Sequence, residues 1–278
     1  MFGYNDHGIG ILDINGRLWW YSFLKESYIL LAKSIKRVDI CQNLQSVFLL
    51  SEKGIVTTYQ LSDNNNNYKY KNQFTLKLPK VFDMAISVNH VLFAVEGSPC
   101  IYALGNNHYS QLGLDPYQFR FLHPHQPQPI DFFNGLCYLN ETNHHIVSVS
   151  CGPFHSAVII NQDLYTFGWK QKGLLAWEEE EEEGEEESGL IQLACFKTVN
   201  DQSIEVPINK VVCGSTHTVA IDDNKNVWIC GQNKYFQLGM NDEMKVAFQF
   251  EKCPQIRNAI DCATAPWSTL IIENTKNC

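Results

Sequence analysis

The 278-residue sequence has no pair of cysteines in CxxC spacing, no stretch of about 18 apolar residues and no excess of basic charge, and each absence closes a class of function. Without CxxC pairs, a zinc knuckle or thioredoxin-type site is not expected, and the ten cysteines read as reduced, mostly buried small apolar residues. Without a long apolar run, no helix is expected to cross a membrane. The opening Met1-Phe2-Gly3-Tyr4 lacks the basic start and apolar stretch of a secretory leader, so the expected address is nuclear or cytoplasmic, not secreted. The densest basic group, Lys33, Lys36 and Arg37, reads as a solvated surface, and direct nucleic-acid binding is not expected. Gly-x-Ser-x-Gly, His-Glu-x-x-His and a glycine-rich dinucleotide fingerprint after a strand are all missing, so the chain is expected to be no enzyme and to use no cofactor.

What is present is local and repetitive. Net charge is −9, but nine glutamates lie within 178–187, and without them 21 acids face 21 bases. The acidity is therefore one feature, expected as a disordered loop over 177–189, able at most to steer a basic partner. Elsewhere short apolar runs are bounded by Gly, Asn and Asp, the pattern of strands and turns, with no competing 3.6-residue period.

The phrase Gly105-Asn106-Asn107-His108-Tyr109-Ser110-Gln111-Leu112-Gly113 returns as Gly231-Gln232-Asn233-Lys234-Tyr235-Phe236-Gln237-Leu238-Gly239. A second phrase, Cys-Gly-x-x-His-Ser/Thr followed by an apolar run, occurs at Cys151 and at Cys213. Weaker copies run through Cys41–Ser46, Ile86–His90 and Ala265–Thr269, so that Gln45, His90, His155, His217 and Ser268 share one column. Each full copy continues into a strand ending at a glycine, Gly105, Gly168 or Gly231. Repetition at this spacing is the mark of an architecture in which neighbouring units bury each other.

A phosphate-cradling role for the glycine loop is not supported, because Pro116 follows Gly113 closely and discourages the helix such a loop must open. The loop reads instead as structure: Gly105, Gly113, Gly231 and Gly239 for turns, Asn107 and Asn233 to bond backbone, Leu112 and Leu238 to fill space. His155 and His217, with Gly152 and Gly214, are likewise structural. Equivalent columns in different units are spread around a ring and do not converge on a metal.

These motifs resemble the repeats of the regulator of chromosome condensation family. Positions 211–239 match nearly throughout, while 101–113 and 151–169 match well. Departures are Ser110 and Phe236, each standing where the family has glycine, and Gly173-Leu174-Leu175, which loses the glutamine. The resemblance implies an all-β fold, a single β-propeller domain over 1–278, with five recognisable repeats and up to seven blades. Met1-Phe2-Gly3-Tyr4-Asn5 matches Thr166-Phe167-Gly168-Trp169-Lys170 in column, so Gly3 takes a structural glycine position and the N-terminal strand is expected to close the ring.

The implied function is a non-catalytic protein-interaction scaffold. The domain order resembles most a small family member that partners a JmjC-type lysine oxygenase at chromatin. Guanine-nucleotide exchange on a small GTPase is the alternative, and an adaptor role in tRNA modification or diphthamide synthesis another. The expected partner-binding residues are the large aromatics in loop columns that vary between repeats: Tyr4, Phe154, Trp169 and Trp267. The chain alone is expected to be a monomer.

Overall fold

The computed structural model describes residues 2–5, 8–23, 25–64, 67–97, 100–134, 136, 147–171, 173–177, 190–197, 202–240 and 244–274. The acidic run 178–187 lies outside them. The described residues form six sheets in chain order, antiparallel throughout except where Phe196–Lys197 runs parallel to Val246–Lys252 in the fifth.

The first sheet runs β1 (Phe2–Asn5), β2 (Gly8–Leu12), β3 (Leu18–Ser22) and β4 (Ser27–Ala32). The second is β5 (Ile35–Cys41), β6 (Ser46–Ser51), β7 (Val56–Asn64) and β8 (Asn67–Thr75). The third is β9 (Val81–Ile86), β10 (His90–Val95) and β11 (Ile101–Asn106), with the short β12 (Phe121–Leu122) and β13 (Gln128–Pro129) both beside β11. The fourth is β14 (Val147–Cys151), β15 (His155–Ile160), β16 (Asp163–Gly168) and β17 (Ile191–Leu193). The fifth carries β18 (Phe196–Lys197) and β19 (Ser203–Ile204) outside β20 (Ile208–Cys213), β21 (His217–Asp222), β22 (Val227–Gln232) and β23 (Val246–Lys252). The sixth has only β24 (Ala259–Ala265) and β25 (Ser268–Glu273).

The apolar runs of the second strands have a direct cause. In β15, Val158 and Ile160 pack into the core shared with the third sheet, whereas Ala157 and Ile159 pack into the core shared with the fifth. In β21, Ala220 joins the core toward the fourth sheet, while Val219 and Ile221 face the sixth. Because successive strand residues point to opposite faces, a sheet buried on both sides needs apolar residues at every position. Small polar residues enter only where they are bonded, as at Thr218 and Ser156.

Two expectations from the sequence are corrected. The N-terminal strand is not found beside the last one: β1 pairs with β2 through Phe2↔Gly10, Tyr4↔Ile9 and Asn5↔Gly8, and among the described residues nothing pairs with the outer edge of β25. A hairpin closes a far shorter loop than a pairing across the whole ring, so its entropic cost is smaller. Six sheets stand among the described residues, within the expected range of five recognisable repeats and up to seven blades. The cysteines differ too: Cys100 is disulfide-bonded, while Cys41, Cys151, Cys195, Cys213, Cys230, Cys253 and Cys262 are free thiols.

Candidate protein-docking face

The repeated phrases build the frame of this face. In the loop after β11, Asn107 is fully buried; its Oδ1 accepts from the Leu112 amide at 2.9 Å and its Nδ2 donates to the Leu114 carbonyl at 2.8 Å. Asn233 does the same with Leu238 and Met244 at 3.1 and 2.9 Å. Gln111 Oε1 accepts from the Tyr109 amide and Gln237 Oε1 from the Tyr235 amide, each at 2.8 Å. Each loop is thus braced from inside by its own side chains, which fixes the tyrosine at its tip.

Glycine is required where the third strand meets the histidine column. Gly168 and Gly231 have φ of 128° and 102°, and a Cβ there would strike the carbonyl oxygens of Phe154 and Thr216. Gly105 is in the same position against Asn89. Gly152 and Gly214 have another role, because the imidazoles of His155 and His217 lie against them. Gly113 and Gly239 take left-handed turns at the loop ends. Of Gly3, only the backbone in β1 is described.

The histidines couple neighbouring sheets. His90 Nε2 donates to Ser156 Oγ at 2.7 Å, and that hydroxyl donates to the Gln111 carbonyl at 2.8 Å. His217 Nε2 donates to Thr269 Oγ1 at 3.0 Å, which donates to the Gln237 carbonyl at 2.7 Å. His155 Nε2 and Thr218 Oγ1 are 2.8 Å apart. Since Ser156 and Thr269 spend their protons on carbonyls, the network assigns the Nε2–H tautomer to His90 and His217. At Ser87, which occupies the glycine column of its repeat, Oγ bonds His90 Nδ1 at 2.9 Å. Burial holds His90 and His155 down to about 3, with the neighbouring histidines adding to the effect on His155, and holds His217 at about 4. All three are neutral at ordinary pH, as hydroxyl-bonded interior histidines must be.

The tips of this frame are aromatic. Tyr109, Phe154 and Trp169 form a cluster with ring centroids 5.4 to 5.7 Å apart, bringing together the loops of the third and fourth sheets. In the equivalent place between the fifth and sixth sheets, Tyr235 meets Trp267 at 5.2 Å, edge to face. Lys234 lies over the Tyr235 ring at 5.5 Å. Trp267, Tyr235 and Phe236 are each more than half exposed, at 54, 52 and 56%. Of the residues expected from sequence, Phe154 and Trp169 are thus joined in one cluster and Trp267 sits in the other. The side chain of Tyr4 lies outside the described residues.

Tyr109, Tyr235 and Phe236 are not among the residues the sequence singles out, because tyrosine belongs to both copies of the loop phrase and repeats with the frame. Phe236 did carry a signal. It replaces a family glycine, and it holds φ of 60°, a left-handed conformation that costs a bulky residue energy. An exposed phenylalanine kept at a strained position is a functional hint.

Burial pushes the Cys41 and Cys213 thiols up to about 12, which leaves them unreactive. Among the described residues no group of three or more His, Cys, Asp or Glu is placed to hold a metal ion, and no helix is long and apolar enough to cross a membrane.

Family models for the regulator of chromosome condensation (RCC1) repeat match residues 100–159 and 208–237. The chain carries RCC1 repeats in both segments. The matched segments hold the braced loop of the third sheet and the histidine column of the fourth and fifth. Among curated relatives, the X-linked retinitis pigmentosa GTPase regulator homolog of Caenorhabditis elegans is 28% identical over 62% of this chain and 11% of its own. Protein pim1 of Schizosaccharomyces pombe is 27% identical over 66% of this chain and 32% of its own. The mouse secretion-regulating guanine nucleotide exchange factor is 28% identical over 62% and 32%. This RCC1-repeat chain therefore spans a third or less of the length of these relatives. Among solved structures, that of Kap60 bound to yeast RCC1 (Prp20) superposes with a TM-score of 0.68 at 15% identity, over 96% of this chain and 66% of that one. Human WBSCR16 gives 0.67 at 14%, over 97 and 70%. Identities this low speak for the fold alone.

Proposed function

We propose that this RCC1-repeat propeller is a non-catalytic docking platform, and that a protein partner seats on the Tyr109–Phe154–Trp169 and Tyr235–Trp267 clusters. The carrying observation is that Tyr109, Tyr235 and Trp267 are exposed and Phe154 and Trp169 partly so, with the two tyrosines on loops braced by their own side chains. Aromatic rings on a rigid support lose little entropy on binding and dominate the energetics of protein interfaces. The reading covers the chain as one domain in the nucleus or cytoplasm. A JmjC-type oxygenase is the first partner to try, on the domain-order resemblance, and an adaptor role in tRNA modification or diphthamide synthesis is a further identity for the same surface.

The second reading, guanine-nucleotide exchange on a small GTPase, is favoured by the names of two relatives, a GTPase regulator homolog and a guanine nucleotide exchange factor. Affinity capture with the intact chain and with Trp169→Ala and Trp267→Ala tests the platform. We expect at least one captured protein to fall by tenfold or more while thermal melts stay within a few degrees of the parent. If both variants stay folded and retain every partner, the surface is wrongly assigned. Accelerated release of labelled nucleotide from a panel of small GTPases would replace the docking-only reading with exchange.

A further inference from the structure

The sixth sheet stops at its second strand. β25, Ser268-Thr269-Leu270-Ile271-Ile272-Glu273, occupies the place of β10, β15 and β21, each of which begins at the histidine column and carries a third strand on its far side. Among the described residues that side of β25 carries nothing. β10, β15 and β21 are buried along their whole length, whereas Leu270 and Ile272 are 64 and 47% exposed. Ile271, on the opposite face, is the residue of β25 that packs on the core shared with the fifth sheet. Sheet edges are normally protected by charge, proline or a bulge, because their free amides and carbonyls template pairing. Ser268–Ile272 holds neither charge nor proline, and its pairing with β24 runs unbroken from Ala265↔Ser268 to Asp261↔Ile272, the register shift lying beyond, between Ala259 and Asp261.

We infer that an extended segment of a partner protein completes this sheet, pairing antiparallel with β25 as its third strand. The inference rests on the docking reading for the existence of a partner, since β25 starts beside Trp267 and its open edge continues the Tyr235–Trp267 cluster. The complete sheets state what the segment must be. Opposite His90, His155 and His217 stand Gly105, Gly168 and Gly231, at φ of 106°, 128° and 102°. A Cβ there would strike the carbonyl oxygen of Asn89, Phe154 or Thr216, and the next amide along donates to that oxygen at 2.8 to 3.0 Å. Trp267 and Ser268 hold the same two columns in the sixth sheet, so the segment needs glycine opposite Ser268 and brings its next amide to the Trp267 carbonyl. In each complete sheet the residue before the glycine is apolar, the third before it aromatic and the fourth aliphatic, as Phe167, Tyr165 and Leu164 are before Gly168. The partner segment therefore reads aliphatic, aromatic, any residue, apolar, glycine. That requirement excludes the other occupants. Residues 240–278 hold no glycine, so no self-pairing of β25 with a second copy meets it. The chain's own strands of this type, β11, β16 and β22, are already paired, and so is β1 with Gly3.

A labelled peptide with the sequence of residues 162–170, Gln162-Asp163-Leu164-Tyr165-Thr166-Phe167-Gly168-Trp169-Lys170, has this pattern and serves as the probe. Titrated with the intact chain in fluorescence anisotropy it should bind saturably, and the same peptide with Gly168→Ala should bind about tenfold or more weakly. Leu270→Lys and Ile272→Lys, both at exposed positions, should weaken binding of the unaltered peptide by a similar factor with unchanged melting. The peptide should also displace the captured protein that Trp267→Ala loses. A probe that fails to bind, or that binds without regard to its glycine or to the two lysine variants, overturns the inference. So does a captured protein that Trp267→Ala loses but that the peptide and both lysine variants leave bound, a result under which the docking face stands without the edge. Edge-dependent peptide binding with capture indifferent to Trp267 upholds the strand site and removes the docking reading.

Discussion

At the scale of single residues, the histidine column ties stability to pH. In the unfolded chain His90, His155 and His217 titrate near the ordinary value of about 6.5, while in the fold burial holds them at about 3, 3 and 4. Below pH 6.5 the unfolded state therefore binds protons that the folded state refuses, and stability falls as pH falls toward the folded values. Between pH 6.5 and 5 each histidine should cost about 1 to 2 kcal/mol. Urea unfolding at pH 7.5, 6 and 5 should show this decline, and His217→Gln, which keeps a donor toward Thr269, should flatten about a third of the slope. A slope unchanged in that variant would place the pH dependence elsewhere. Phe236 is the second residue whose energetics and role diverge. Phe236→Gly removes a left-handed phenylalanine and should raise stability by about 1 kcal/mol, yet it deletes an exposed ring next to Tyr235 in the chain and should weaken partner capture.

At the scale of elements, the braced loop and the glycine that precedes it behave as one device. Asn233→Ala removes the acceptor for the buried Leu238 amide and the donor to the part-buried Met244 carbonyl. Leaving such groups unpaired costs about 1 to 3 kcal/mol, so chemical denaturation should show a loss of that size. The same change frees the Tyr235 tip, so capture at the Trp267 cluster should weaken beyond what stability explains. Gly231→Ala forces a Cβ into the Thr216 carbonyl at φ of 102° and should be the more damaging change. The third copy shows what happens without the glutamine: Leu174 and Leu175 are buried as Leu112 is, so the space-filling half of the motif survives. Trp169 stands there in the column of Asn106 and Gln232, and its amide donates to the Phe154 carbonyl at 2.9 Å as theirs donate to the Asn89 and Thr216 carbonyls.

At the scale of the whole molecule, the sheets are joined by side chains instead of by shared strands. Besides the histidine bonds, Cys41 Sγ and Cys151 Sγ donate to the Val88 and Ala85 carbonyls, each at 3.5 Å, Thr264 Oγ1 donates to the Cys213 carbonyl at 3.0 Å, and Lys210 pairs with Asp261. Together with the histidine bonds, these contacts hold the aromatic tips in fixed relation from one sheet to the next. A partner spanning both clusters would depend on that relation, so Thr269→Val, which breaks the His217 bond between fifth and sixth sheets, should reduce capture at the Trp267 cluster while sparing the Trp169 cluster. Separate competition by Trp169→Ala and Trp267→Ala chains measures this.

The sequence by itself determined the fold class and the frame: repeated glycines, the histidine column and continuous apolar strands are each dictated by local geometry or by burial on two faces, and such demands are written at fixed columns. It also marked Phe154, Trp169 and Trp267, because they vary where the rest repeats. Only the tertiary structure decided which aromatics meet. Tyr109 and Tyr235 look like punctuation until the next sheet brings Phe154 or Trp267 against them, and contact between sheets depends on distances that no spacing along the chain encodes. The pairing of the N-terminal strand was decided there too. A strand pattern states that residues 2–5 can pair, but the choice between β2 and β25 is a competition between a short loop and a long one, settled in three dimensions.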